Sequence, residues 1–91
     1  MTQQYIVGEF SSLVAELEPA AGELGCVLSG LRREIEVSPL GGLPKLAREA
    51  LNLTDLVCWE ALEEGDVASF RRCADTAAGL WEFTASANLL L

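Results

Sequence analysis

The 91-residue sequence contains no histidine and little else that is typical of a catalytic site. Histidine is the commonest general base in enzymes and the commonest metal ligand, so its absence removes the simplest forms of both kinds of site. The one glycine pair in a loop, Gly41-Gly42, lacks the spacing of a phosphate-binding loop. The sequence therefore predicts a protein that is not an enzyme, with no catalytic residue, no cofactor and no metal site.

Basic residues are also scarce, with six Lys and Arg against 14 Asp and Glu and a net charge of −8. Nucleic-acid binding requires clustered basic side chains, and an anionic membrane surface repels an acidic protein. The sequence thus predicts that the protein binds neither nucleic acid nor a membrane. Residues 1–31 contain four glutamates and no basic residue. This acidity has two interpretations: it keeps an apolar protein soluble, or it directs the chain to a basic protein partner.

The sequence has three cysteines, and an odd number does not suit a disulfide framework. The first residues show no positively charged segment followed by an apolar core, so no secretory signal is indicated. No run of 18 apolar residues occurs either, which argues against a transmembrane helix. We therefore predict a cytoplasmic location.

The residues that are abundant favour helix. The chain has 16 leucines, 12 alanines and 11 glutamates, all strong helix formers, and few β-branched residues. Its length is typical of a single domain. The sequence predicts one all-α domain over residues 1–91, a small antiparallel four-helix arrangement with a C-terminal αα-hairpin.

The apolar periodicity predicts helices over residues 3–17, 20–37, 44–64 and 67–88, with a loop over 38–44. Pro19 either starts the second helix or kinks one continuous helix. In the second helix, Ala21, Gly25 and Ser29 recur every four residues. This track of small residues either admits a closely packed helix or belongs to a marginally stable one.

The third and fourth helices form the predicted hairpin. Gly65 supplies the helix stop and Asp66 the N-cap of the next helix, and so short a connection requires antiparallel neighbours. Pairing residues outward from this turn places Phe70 and Trp81 in the core.

The same pairing places Cys58 level with Cys73. Two facing thiols are compatible with a redox switch or with half of a metal site. The alternative is that both cysteines are small buried apolar residues. Zinc needs four ligands, and without histidine the remaining ones would have to come from Cys26 and carboxylates.

Several large apolar residues fall outside the predicted core. On the third helix the predicted buried arc includes Leu62, whereas Leu56 and Trp59 lie among polar neighbours. The sequence also ends with three leucines that have no polar residue beside them. We predict that these residues form an interface with another chain, most simply a second copy in a homodimer. The predicted interface residues are Leu56, Trp59, Phe83, Leu89, Leu90 and Leu91.

These observations lead to two functional hypotheses. The first is a non-enzymatic protein–protein interaction or regulatory module, a self-associating acidic helical bundle. The alternative is a small-molecule-binding protein or an accessory subunit of an enzyme complex, with a ligand between helices near the small-residue track and the Gly41-Gly42 loop.

Overall fold

The computed structural model describes residues 3–89, which form four α-helices and no strand. The predicted all-α four-helix arrangement is thus confirmed. The first, third and fourth helices begin and end within two residues of the predicted bounds, and the second begins five residues later than predicted. The helices are α1 (Gln3–Leu17), α2 (Gly25–Val37), α3 (Leu43–Glu63) and α4 (Val67–Ser86).

The connection between α1 and α2 explains the late start of α2. Pro19 lies in a short 3-10 turn over Glu18–Ala20, and a second such turn covers Gly22–Leu24. Gly22 has a φ of +56°, a left-handed conformation that an α-helix cannot include. Pro19 therefore neither begins α2 nor kinks a continuous helix; it lies in an irregular link between two separate helices.

Of the track of small residues, Ala21 lies in this link and Gly25 is the first residue of α2. A Cβ built on Gly25 would meet the Glu18 carbonyl oxygen at 3.8 Å, and no other part of residues 3–89 within 4 Å. A closely packed helix at Gly25, one of the two interpretations of the track, is therefore not present in the described part of the chain.

The hairpin forms as predicted. Gly65, at a φ of +74°, donates its N–H to the Leu62 carbonyl at 3.1 Å, and the Asp66 N–H donates to the Ala61 carbonyl at 2.9 Å. These two bonds form the Schellman motif that ends many helices. Asp66 then caps α4, because its Oδ1 accepts the Ser69 N–H at 3.1 Å.

The core lies between all four helices. Each helix contributes side chains at helical spacing from its inner face, as the amphipathic pattern of α1 and α2 predicts. The largest fully buried side chains are Phe10, Leu17, Leu28, Ile35, Leu43 and Leu80, with Val14 and Val57 between them.

The inner face of α4 differs from the prediction. Trp81, which the hairpin pairing placed in the core, is 54% exposed, and Phe70 is half-buried. The buried residues are instead Cys73, Thr76, Leu80 and Thr84. The threonines can be buried because their hydroxyls bond to their own helix: Thr84 Oγ1 donates to the Leu80 carbonyl at 2.7 Å. A sequence pattern that counts threonine as polar therefore selects the wrong face.

Candidate interaction surface on the third helix

Two of the predicted interface residues lie on the outer face of α3. Trp59 is 62% exposed and Leu56 is 52% exposed. Leu62, which was predicted to be buried, is 53% exposed on the same helix. Its burial was predicted because its helical position borders the inner arc, but α2 and α4 do not cover it.

Two other predicted interface residues lie inside the fold. Phe83 is half-buried, with its ring centroid 6.0 Å from that of Phe10. Leu89 is only 4% exposed, because Asn88 reverses the chain at a φ of +58° and the Leu89 N–H donates to the Thr84 carbonyl at 2.8 Å. This second Schellman motif turns Leu89 back onto the core. The expected exposure of both residues was wrong, and the last two predicted residues, Leu90 and Leu91, lie outside the described residues.

The exposed residues of α3 follow a regular line along the helix. Positions separated alternately by four and three residues lie on one side of an α-helix, as in the contact line of a coiled coil. Every residue at these positions on the outer face is exposed. We call this line the outer stripe; it consists of Lys45, Glu49, Asn52, Leu56, Trp59 and Glu63.

The sequence alone already contained the signal for this stripe. The helical periodicity already placed Leu56 and Trp59 among polar neighbours that include Lys45, Asn52 and Glu63, but it did not show that these residues form one line. A search for the alternating spacing of four and three, without regard to polarity, finds the whole stripe. The apolar members of the stripe, Leu56 and Trp59, lie in the half nearer to Glu63, and Lys45 lies at the opposite end.

These end charges are placed unfavourably with respect to the helix itself. The N-terminus of a helix carries a partial positive charge and the C-terminus a partial negative one. Lys45 lies in the first turn of α3, and Glu60 and Glu63 lie in its last turn. The two ion pairs described within residues 3–89 both involve Arg32, so neither Lys45 nor Glu63 takes part in them.

An acidic cleft lies beside the C-terminal end of the stripe. It measures about 380 Å³, and its lining comes from the α1–α2 link and from the α3–α4 turn. Its acidic residues are Glu23, Glu60, Glu63, Glu64 and Asp66. No buried side-chain nitrogen or oxygen within residues 3–89 is left without a hydrogen-bond partner, so no buried polar group marks a ligand position in this cleft.

The other region named for a small molecule is the loop before α3. A shallow groove of about 360 Å³ runs past Gly42 and Lys45, open to solvent. Small-molecule sites are mostly enclosed and apolar, with a few convergent polar groups. Neither surface depression has that character, and the ligand-binding alternative stays a prediction.

Cys58 and Cys73 meet across the hairpin, in the register that the turn predicts. Burial, and then the neighbouring Cys73 thiol, raises the pKa of Cys58 to about 11. Burial also raises the pKa of Cys73. The thiolate is the form that attacks disulfides and binds metals, so both thiols are in their unreactive form at neutral pH. These environments favour the interpretation of the pair as buried apolar contacts.

The described residues provide no further site. Within residues 3–89, no three cysteine, aspartate or glutamate side chains are grouped closely enough to hold a metal ion. No helix in the same range has both the length and the hydropathy needed to cross a bilayer. Compared with known proteins, the chain matches no family, no curated protein and no solved structure. The outer stripe is therefore the feature of the described residues that bears on function.

Proposed function

We propose that this protein is a non-enzymatic protein–protein interaction module, a small acidic helical bundle that self-associates through the outer stripe of α3. A regulatory role and a cytoplasmic location are part of the same proposal. The exposed indole of Trp59 is the single observation that carries it. Tryptophan is the residue type most enriched at the energetic centres of protein interfaces.

The energetics of the exposed side chains support the proposal. Burying a large apolar side chain stabilises it by roughly 1.5–3 kcal/mol relative to leaving it in water. Leu56, Trp59 and Leu62 are each more than half exposed in the single chain and lie within two turns of one helix. A second protein surface over this helix would bury all three at once.

The composition of the chain supports a binding role over a catalytic one. The sequence has no histidine, and its two facing thiols have raised pKa values. Its fourteen Asp and Glu residues outnumber its six Lys and Arg residues and give the chain its net charge of −8. A charged surface around an apolar centre is the usual composition of a protein interface.

The test compares Trp59→Ala with Trp81→Ala. Both tryptophans are more than half exposed, but Trp81 is on α4 and outside the outer stripe. Self-association is measured by sedimentation velocity over a concentration series, and helix content by circular dichroism. We expect Trp59→Ala to weaken self-association at least tenfold with unchanged helix content, because truncation of a central interface residue typically costs at least 2 kcal/mol. An unchanged assembly in Trp59→Ala would refute the proposed function.

A further inference from the structure

We propose that the partner of the outer stripe is a second copy of this chain whose α3 runs antiparallel to the first, related by a twofold axis at the level of residue 54. This inference rests on the proposed function and specifies its geometry. The spacing of the stripe allows this arrangement, and its two end charges, Lys45 and Glu63, support it in two ways: by their pairing across the contact and by their position relative to the helix dipole.

The spacing of the outer stripe is symmetric about residue 54. In an antiparallel pair of helices, each position of the alternating four–three line meets the position on the other side of the axis. Lys45 then faces Glu63 of the second copy, and Asn52 faces Leu56 of the second copy. Trp59 lies between these levels, opposite Glu49 of the second copy. Leu56 and Trp59 of both copies lie within five residues of the axis, together with Asn52 and Glu49, and Lys45 and Glu63 lie at the two ends of the contact.

The charges at the two ends of the stripe are of opposite sign across the contact only in the antiparallel orientation. Antiparallel pairing brings Lys45 and Glu63 together twice, once at each end of the contact. Parallel pairing in the same register would place Lys45 against Lys45 and Glu63 against Glu63. Like charges placed across an interface disfavour the wrong arrangement. Each copy carries a net charge of −8, which opposes association, and these two attractive pairs offset part of that repulsion.

The helix dipole provides the second argument from the end charges. Lys45 in the first turn and Glu63 in the last turn each lie at the end of α3 that their charge disfavours. In an antiparallel pair, the start of one α3 lies beside the end of the other. Lys45 and Glu63 of one copy then each face a residue of opposite charge on the other copy. The two helix dipoles are antiparallel, which is favourable. An arrangement that is unfavourable in the single chain becomes favourable in the pair.

A charge exchange tests the arrangement. Lys45→Glu and Glu63→Lys are prepared separately, one of them labelled with ¹⁵N, and dimers are counted by native mass spectrometry alone and after mixing. Each variant alone places like charges at both ends of the contact, and we expect its self-association to fall about tenfold. In the mixture every end pair is again opposite in charge. The mixed dimer should therefore form in large excess over either homodimer. The orientation is decided by the fall in self-association of each single variant, because a parallel wild-type pair would already place like charges at both ends and would lose nothing.

Two control variants correct for net charge. Arg33→Glu and Glu16→Lys make the same charge changes on exposed positions of α2 and α1, away from the stripe. Their mixture should contain homodimers and mixed dimers in statistical proportion. All four substitutions are at exposed positions, and circular dichroism checks that helix content is retained.

The outcomes separate this inference from the proposed function. If Lys45→Glu and Glu63→Lys associate as the wild type does and mix statistically, the antiparallel arrangement is wrong, whatever Trp59→Ala shows. If the charge exchange gives no preference but Trp59→Ala disrupts assembly, the interaction module stands without this geometry. A wild type that never forms dimers overturns the inference directly.

Discussion

Buried threonines lie on the inner faces of α3 and α4. Thr54 and Thr84 are fully buried, and each donates its hydroxyl to the carbonyl oxygen four residues earlier, at 2.7 Å. The hydroxyl is thereby satisfied within its own helix, and the rest of the side chain packs as an apolar group. This local bond allows a residue that is usually classified as polar to occupy the core.

A substitution of Thr84 tests this explanation. Thr84→Val keeps the shape of the side chain and removes the hydroxyl, while the Leu80 carbonyl keeps its helical environment. We expect the free energy of unfolding to change by less than about 1 kcal/mol. Leu80→Ala, which leaves a cavity one turn away, should lower it by about 2–5 kcal/mol. Urea unfolding followed by circular dichroism measures both. A loss from Thr84→Val as large as that from Leu80→Ala would contradict the account.

The cysteines differ in reactivity for a related reason. Cys26 is exposed, whereas the pKa of Cys58 rises from 9.0 to about 11, chiefly through burial. Below pH 9 this rise makes the Cys58 thiolate about a hundredfold rarer than that of an unperturbed thiol, because each pKa unit is a factor of ten. At pH 8 we expect iodoacetamide to modify the exposed Cys26 first and the partly buried Cys58 much more slowly.

Intact mass followed by peptide mapping measures this order of modification. Raising the pH toward the pKa of Cys58 should increase its rate of modification further. Equal rates at Cys26 and Cys58 at pH 8 would show that the Cys58 thiol is neither buried nor next to Cys73 in solution.

At the scale of whole elements, the hairpin was predictable and the connection between α1 and α2 was not. The sequence of α3 and α4 has a clear apolar periodicity. The Gly65-Asp66 pair between them marks where α3 ends and where α4 begins. Between α1 and α2, glycine is compatible with helix, turn and loop, so the pattern does not show that Gly22 takes a positive φ. The reversal at Asn88, which buries Leu89, is hidden for the same reason.

The cap at the start of α4 makes this element sensitive to pH. The Ser69 N–H and hydroxyl, which both donate to the Asp66 carboxylate, lower the pKa of Asp66 below its usual 3.8. A lowered pKa in the folded state means that the stabilisation is present above pH 3.8 and is lost as the pH falls through the folded-state pKa.

Asp66→Ala should therefore unfold at a lower urea concentration than the wild type at pH 7, with a difference that shrinks below about pH 4. Ser12→Ala, at an exposed position of α1, is the matched control and should leave the midpoint unchanged at both values. A difference between Asp66→Ala and the wild type that persists undiminished at low pH would mean that the carboxylate charge does not stabilise the cap.

At the scale of the whole molecule, the candidate surface was half predictable. Leu56 and Trp59 were recognised because they interrupt a polar helix face. Phe83 and Leu89 were misassigned because the rotation of α4 and the chain reversal after it depend on tertiary packing. Lys45 and Glu63 can be recognised as the ends of a contact surface only when the exposed face of α3 is known. That face depends on the fold, because α2 and α4 cover the other sides of the helix.

The same surface determines the expected strength of self-association. A contact between two single helices lies at the small end of specific interfaces, below about 1,200 Å² of buried surface. Interfaces of this size are typical of transient complexes. We therefore expect the protein to be monomeric when dilute and dimeric when concentrated, with a Kd of about 1–100 μM.

Sedimentation equilibrium of the wild-type chain over a concentration series that spans this Kd measures the proposed self-association. The weight-average mass should rise from 9.8 kDa at low concentration toward twice that value, and then stop rising because a twofold contact closes on itself. A mass of 9.8 kDa at every concentration would contradict the proposed self-association.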